Sequence, residues 1–255
     1  MPVAIITGSA QGLGEAVAIR LAKDGNDIIL FDLPAQQQLL QIVSERVQKL
    51  GRKVLIVTGD VTSEESVNHL IQQSLNLGPL SIMIANAAVA LFSPIAEQNI
   101  KDLDHHMAVN IRGVFLCYKY AALQMVEQGT GGVILGASSV SGLTAIRGFA
   151  AYGATKWAVR GLTKCMALEF GHHGIRVNCY SPSAMSTKMF EQVCIKTAEA
   201  ENVTVAQIML RYTGLFGRVG KPEDVSNVVG FLCSDEASFI TGQDITIDGG
   251  RLLKL

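Results

Sequence analysis

Short apolar, β-branched runs recur along the chain at Val3 to Ile6, Asp27 to Phe31, Lys53 to Val57, Ser81 to Ala85, Gly132 to Gly136, Ile175 to Tyr180 and Asp244 to Ile247. They are apolar continuously rather than alternately, the pattern of strands buried on both faces. Segments of helical period lie between them, beginning near Gly12, Pro34, Ser63, Asp102, Ala150 and Pro222, and Pro222 followed by Glu223 and Asp224 fits a helix start. Strand and helix alternate throughout, which predicts an α/β fold with about seven parallel strands, doubly wound, and helices on both faces. No repeat, low-complexity tract or linker breaks the rhythm, so residues 1–255 read as a single domain. The departure is the segment 183–217 between the last two strands, which is helix-compatible and carries Met185, Met189 and Met209. It is expected to be a substrate-loop insertion, with ordinary packing helices as an equal alternative.

Composition narrows the partners. At 49% hydrophobic and 17% charged residues the chain can bury a large core, and a net charge of −1 without long runs of either sign removes the electrostatic basis for binding nucleic acid or anionic lipid. A small-molecule partner is expected. Cys117, Cys165, Cys179, Cys194 and Cys233 are scattered and never form a CxxC pair, so they read as free thiols in a reducing compartment. No apolar stretch approaches the roughly 18 residues of a membrane helix, and the first residues lack a signal-peptide pattern. A cytoplasmic protein without membrane contact is expected.

Thr7-Gly8-Ser9-Ala10-Gln11-Gly12-Leu13-Gly14 follows the first strand and opens the first helix. Gly8 permits a tight turn, Gly12 lets backbone N–H groups approach a pyrophosphate, and Gly14 allows close packing of helix on strand. Such a GxxxGxG turn is weak by itself, but it is the chain's first βα turn, and Asp32 ends the second strand near the spacing of a ribose-binding acid. A carboxylate there accepts hydrogen bonds from the adenosine 2′- and 3′-hydroxyls and repels a 2′-phosphate. The cofactor is therefore expected to be NAD(H) on a Rossmann-type sheet, and no Arg or Lys adjoins Asp32 to favour NADP(H).

Tyr152 and Lys156 open a helical segment at i, i+4 spacing, which puts phenol and ammonium on one face. A neighbouring cation stabilises a phenolate and lowers the phenol's pKa toward the working range. Taken singly, a solvated Lys beside a packed Tyr is the plainer reading. Ser139, shortly after the fifth strand, and Asn110, in the preceding helix, complete a set.

The ordered residues Gly8, Gly12, Gly14, Asp60, Asn86, Asn110, Ser139, Tyr152, Lys156 and Thr187 resemble the short-chain dehydrogenase/reductase family along nearly the whole chain. The resemblance implies that Tyr152 is the general acid/base, that Ser139 steadies the substrate oxygen, and that Lys156 lowers the pKa of Tyr152 and holds the nicotinamide ribose. It implies that Asn110 anchors a water linking Lys156 to solvent. The cofactor would be held by Gly8, Gln11, Gly12, Leu13 and Gly14, by Asp32 and Leu33, by Asp60 and Val61 at the adenine, by Asn86, and by Pro182, Met185 and Thr187 with Tyr152 and Lys156. Ala85, Ala88 and Ser183 stand where the family usually has Asn, Gly and Gly.

The substrate pocket is expected to be lined by Ser139, Val140, Ser141, Arg147, Tyr152, Ser183, Ala184 and Phe190, which suits a compact secondary alcohol or ketone. Within the family the chain looks most like acetoin/diacetyl reductases, the 2,3-butanediol dehydrogenases. A 3-oxoacyl thioester reductase and a non-catalytic NAD-binding redox sensor are the alternatives. No metal site is expected: His105 and His106 point about 100° apart on a helix and are read as a solvated face, and His172-His173 as a helix C-terminus. Trp157, at a subunit contact or in the core, and the closing Asp248-Gly249-Gly250 point, by the resemblance, to a homotetramer or homodimer.

Overall fold

The apolar runs pair into one parallel sheet in the computed structural model, which describes residues 1–254. The strands are β1 (Val3–Thr7), β2 (Asp27–Asp32), β3 (Val54–Thr58), β4 (Leu80–Ala85), β5 (Gly132–Ala137), β6 (Ile175–Pro182) and β7 (Asp244–Ile247), in the order β3-β2-β1-β4-β5-β6-β7. Successive side chains leave opposite faces of a strand, so one run feeds two cores. Val3 and Ile5 of β1 pack with Val67, Leu70, Val114 and Val159 on one face, whereas Ala4 and Ile6 pack with Val17, Leu40 and Val225 on the other. The first face is covered by α3 (Glu64–Ser74), α5 (Val114–Gln128) and α6 (Ala150–Phe170), the second by α1 (Gly12–Lys23), α2 (Gln37–Gln48) and α9 (Pro222–Cys233). Burial on both faces explains why the strands are apolar throughout.

The strand order reverses between β1 and β4, and a crevice outside the carboxyl ends of the strands at such a switch point is where doubly wound sheets take ligands. Most predicted elements fall within a residue or two of those observed. The helix expected near Asp102 is α4 (Ile100–Met107), started two residues earlier by Asn99, whose side chain accepts from the Asp102 amide at 2.8 Å. A π-helical turn over Ala108–Gly113 then joins α4 to α5.

The segment 183–217 folds as α7 (Lys188–Glu201) and α8 (Val205–Arg211) around a small core of Cys194, Ala198 and Ile208. Its helices therefore pack on one another, and Met189, Phe190, Val193 and Tyr212 also face the crevice. The five cysteines are free thiols. No helix of the described residues is long and apolar enough to cross a membrane, and no cluster of metal-ligating side chains occurs among them. Trp157 is 51% exposed, which excludes a core role.

Candidate active site

A cavity of about 1070 Å³ runs along the carboxyl ends of the strands across the switch point, at the upper end of the roughly 300–1,000 Å³ usual for ligand pockets. Its floor at one end is the β1–α1 turn. Gly8 and Gly12 sit at φ 65° and 62°, and a Cβ on Gly14 would lie 2.1 Å from the Gly8 carbonyl oxygen, so only glycine fits there. Gln11 precedes α1 without a side-chain cap, which leaves the first amides of the helix free of any side-chain acceptor. Across the gap, the methyl of Thr187 lies 3.5 Å from where a Gly12 Cβ would stand. Glycines that bring bare backbone to the surface of a gap, at an uncapped helix N-terminus, fit the pyrophosphate of a dinucleotide.

Asp32 stands beside this turn. Its Oδ2 accepts from the Ala10 amide at 3.0 Å and its Oδ1 from the Leu33 amide at 2.8 Å, which fixes the carboxylate and leaves lone pairs on each oxygen for ribose hydroxyls. Two arginines that line the same end are already engaged by acids, Arg46 by Glu15 and Arg20 by Asp24 at 2.9 Å. Leu33, Asp60 and Val61 line the cavity as expected; the Asp60 carboxylate accepts from the Thr62 amide at 2.8 Å.

Asn86 also lines the cavity, but its side chain is engaged by the scaffold. Nδ2 donates to the Thr7 and Gly8 carbonyls at 3.0 and 3.2 Å, and Oδ1 accepts from the Tyr180 hydroxyl at 3.1 Å. It clamps the glycine turn to β4 and β6. Thr187 caps α7, accepting from the Phe190 amide at 3.3 Å, and Met185 packs over Gly220 at the edge of the core while Pro182 ends β6.

At the other end stand Ser139, Tyr152 and Lys156. Ser139 follows β5 and caps a short 3-10 turn, its Oγ accepting from the Ser141 amide at 3.1 Å. Tyr152 lies in the first turn of α6, and its ring is braced edge-on by Phe149 and His106, with centroids 6.0 and 6.4 Å away. Lys156, 1% exposed, donates from Nζ to the Ala137 carbonyl at 2.7 Å and lies 5.4 Å from the Tyr152 ring centroid.

These positions correct the expected electrostatics. The ammonium donates to the Ala137 carbonyl and lies over the phenol ring. Burial pushes the Tyr152 phenol above its ordinary value rather than below it, and the Ser139 hydroxyl pulls it the other way. Burial also brings Lys156 down to about 7.

Asn110 is fully buried in the π-helical turn. Its side chain exchanges hydrogen bonds with Val89, at 2.9 Å in both directions, and donates to Thr155 Oγ1 at 3.1 Å. Thr155 in turn donates to the Tyr152 carbonyl at 2.7 Å. The Asn110 side chain thus meets α6 between Tyr152 and Lys156 rather than at the ammonium, and Thr155 is a site residue that the spacing of motifs did not disclose.

Two further expectations are overturned. Arg147 is exposed and does not line the cavity: Gly148, at φ 79°, turns the chain so that Ile146 and Phe149 face inward and the charged side chain faces water. His106 is not on a solvated face. It is 0% exposed, with Nε2 accepting from the Leu91 amide at 3.2 Å, so Nδ1 carries the proton that goes to the Asp102 carbonyl at 2.7 Å. His105 is the exposed member of the pair. Val140, Ser141, Ser183, Ala184 and Phe190 all line the cavity. The residue missed there is Arg251, from the C-terminal tail.

A family model described as enoyl-(acyl carrier protein) reductase matches residues 8–251. A short-chain dehydrogenase/reductase of Armillaria gallica is 43% identical, covering 97% of this chain and 95% of its own. L-2,3-butanediol dehydrogenase of Corynebacterium glutamicum is 33% identical, covering 98% of each chain. Among solved structures, carveol dehydrogenase of Mycobacterium avium in complex with NAD superposes with a TM-score of 0.89 at 31% identity, covering 99% of this chain and 98% of the other.

Proposed function

Because the chain belongs to the short-chain dehydrogenase/reductase family, we propose that it is an NAD(H)-dependent oxidoreductase interconverting a secondary alcohol and a ketone. The observation that carries this reading is the gathering of Ser139, Tyr152 and Lys156 at one end of a cavity whose other end is the glycine turn with Asp32. Gly8, Gln11, Gly12, Leu13 and Gly14 would hold the pyrophosphate side of the cofactor, Asp32 and Leu33 the ribose, Asp60 and Val61 the adenine, and Pro182, Met185 and Thr187 the nicotinamide end. When bound, NAD(H) supplies the hydride donor or acceptor.

The chain's own residues handle the proton. The Tyr152 hydroxyl hydrogen-bonds the substrate oxygen, gives its proton as that oxygen gains charge during reduction, and takes it back during oxidation. Its raised pKa keeps the phenol protonated at neutral pH and ready to donate. Ser139 donates a second hydrogen bond to the same oxygen. Lys156, anchored on the Ala137 carbonyl, keeps a positive charge or a proton donor against the ring. Asn110 and Thr155 fix the helical turn that carries both residues.

The compact wall of Val140, Ser141, Ala184 and Phe190 favours small substrates, and acetoin, diacetyl and 2,3-butanediol are the first compounds to assay. A screen of NADH oxidation and NAD reduction over these compounds, cyclic ketones, sugars, steroids and 3-oxoacyl thioesters tests the reading. Failure to turn over any of these or any short oxo acid would overturn it, and turnover of 3-oxoacyl thioesters alone would favour a 3-oxoacyl thioester reductase.

With any good substrate, kcat/KM is expected to favour NADH over NADPH by about a hundredfold, since a 2′-phosphate would face the Asp32 carboxylate. An inverted ratio would remove the role given to Asp32. We further propose that this protein is a cytoplasmic homotetramer or homodimer. Its support is the exposed apolar face of Phe115 and Leu123 on α5 and of Trp157 and Leu168 on α6. Light scattering on the purified chain is expected to give at least a dimer's mass, and a monomer at micromolar concentration would refute it.

A further inference from the structure

Past β7 the chain reverses through Gly249 and Gly250, at φ 59° and 76°, and the Asp248 carboxylate accepts from the Gly250 and Leu252 amides at 2.9 and 2.8 Å. This turn carries Arg251 inward until it is 8% exposed and lines the cavity beside Phe190, Tyr212 and Ser183. Its guanidinium stacks on Tyr212, with Cζ 4.6 Å from the ring centroid. Nε and Nη1 are buried and have no hydrogen-bond partner among the described residues. Ser183 Oγ, in the same cavity, is likewise buried and unpartnered.

Such groups are costly. A buried donor left unmade costs about 1–3 kcal/mol, and a buried cation without a counterion more. Asp248, the nearby acid, is engaged with two backbone amides and forms no ion pair with Arg251. Burial accordingly draws the guanidinium below its ordinary value, with Tyr212 and Asp248 opposing the shift. Each of the two donor edges of a guanidinium, Nε with Nη2 and Nη1 with Nη2, here includes one unpartnered nitrogen, and a carboxylate is the group whose forked geometry matches such an edge.

We infer that Arg251 and Ser183 form an anion subsite of the substrate cavity, which selects hydroxy and oxo compounds bearing a carboxylate. The inference rests on the oxidoreductase reading of the same cavity. A carboxylate would neutralise the cation and hydrogen-bond both groups, whereas a neutral diketone of equal size would do only the second. Ser183 then has a reason to stand where a glycine would leave the cation alone. The same chemistry could come from the cofactor's phosphates, and the test separates the two sources.

The full-length protein is assayed with NADH against pyruvate, 3-oxobutanoate, 4-oxopentanoate and 5-oxohexanoate, with their methyl esters, and with 2,3-butanedione. At least one acid is expected to exceed its ester in kcat/KM by about tenfold. Arg251→Gln should lower kcat/KM for that acid by about 30-fold and leave its ester within threefold and the NADH Kd unchanged. Arg251→Lys, which keeps the charge, should retain most of the preference, and Ser183→Gly should lose severalfold for the acid. A parallel loss of NADH affinity in Arg251→Gln, an equal loss for acid and ester, or a wild type that prefers every ester would overturn the subsite. Should nothing be turned over, the oxidoreductase reading fails separately and the subsite is decided by binding. A rise in Tm with pentanoate plus NAD in the wild type that disappears in Arg251→Gln supports it, and no rise in the wild type rejects it.

Discussion

Tyr152→Phe is expected to lower kcat by about a thousandfold in both directions while the NADH Kd stays within twofold of wild type. The substitution removes one oxygen and keeps the ring, whose edges against Phe149 and His106 hold it in place. The lost group is also not part of the scaffold, since the hydroxyl's interaction is with Ser139 rather than with backbone. Stability should therefore change little, and the loss should appear in turnover rather than in binding. Stopped-flow turnover and fluorescence titration of NADH measure the two quantities. Near-full activity would remove Tyr152 as the proton carrier and leave only Ser139 and a solvent proton for the role.

The strands were legible because a parallel sheet buried on both faces leaves no polar alternation to confuse them, and the glycine turn because each glycine has a steric duty. Gly14 cannot carry a Cβ beside the Gly8 carbonyl, and this constraint is local in sequence. What could not be read depends on the path of the chain between elements. The helical rule that adjacent residues diverge correctly separated His105 from His106, but only the packing of α4 against the loop at Leu91 decides which of them goes in. Arg147 lies close to Tyr152 in sequence, and the turn at Gly148 sends it away. The π-helical turn that presents Asn110 to Thr155 is a change in backbone register with no signature in the pattern of apolar residues.

Arg251 was hidden for the opposite reason, because it enters the cavity from the far end of the chain. The available signal was Asp248-Gly249-Gly250, where an acid followed by two glycines marks a reversal that could return the tail to the body. Spacing alone does not say to which wall it returns. Ser183 was visible as a departure from the family pattern, but its meaning depends on the unpartnered Arg251 in the same cavity.

Lys156→Met should separate stability from activity. The wild-type ammonium is buried and its pKa falls to about 7, against roughly 10.5 for the unfolded chain. Because the folded-state value is depressed, the group opposes folding in full below about pH 7, where both states hold the proton. Between about 7 and 10.5 the unfolded chain binds the extra proton, so the opposition fades as pH rises. The difference corresponds to roughly 5 kcal/mol at low pH, offset by about 1–3 kcal/mol when methionine leaves the Ala137 carbonyl without its donor. Methionine preserves the apolar stem, so the variant is expected to be about 2 kcal/mol more stable than wild type at pH 6, a Tm rise of roughly 4–8 °C, with the gap closing by pH 10. Its kcat should nevertheless fall at least a hundredfold, because no cation or proton donor then faces the Tyr152 ring. Calorimetry at the two pH values, alongside turnover, checks both halves. A variant less stable than wild type at pH 6 would mean that the hydrogen bond to Ala137 outweighs desolvation, and Lys156 would then be a structural residue first.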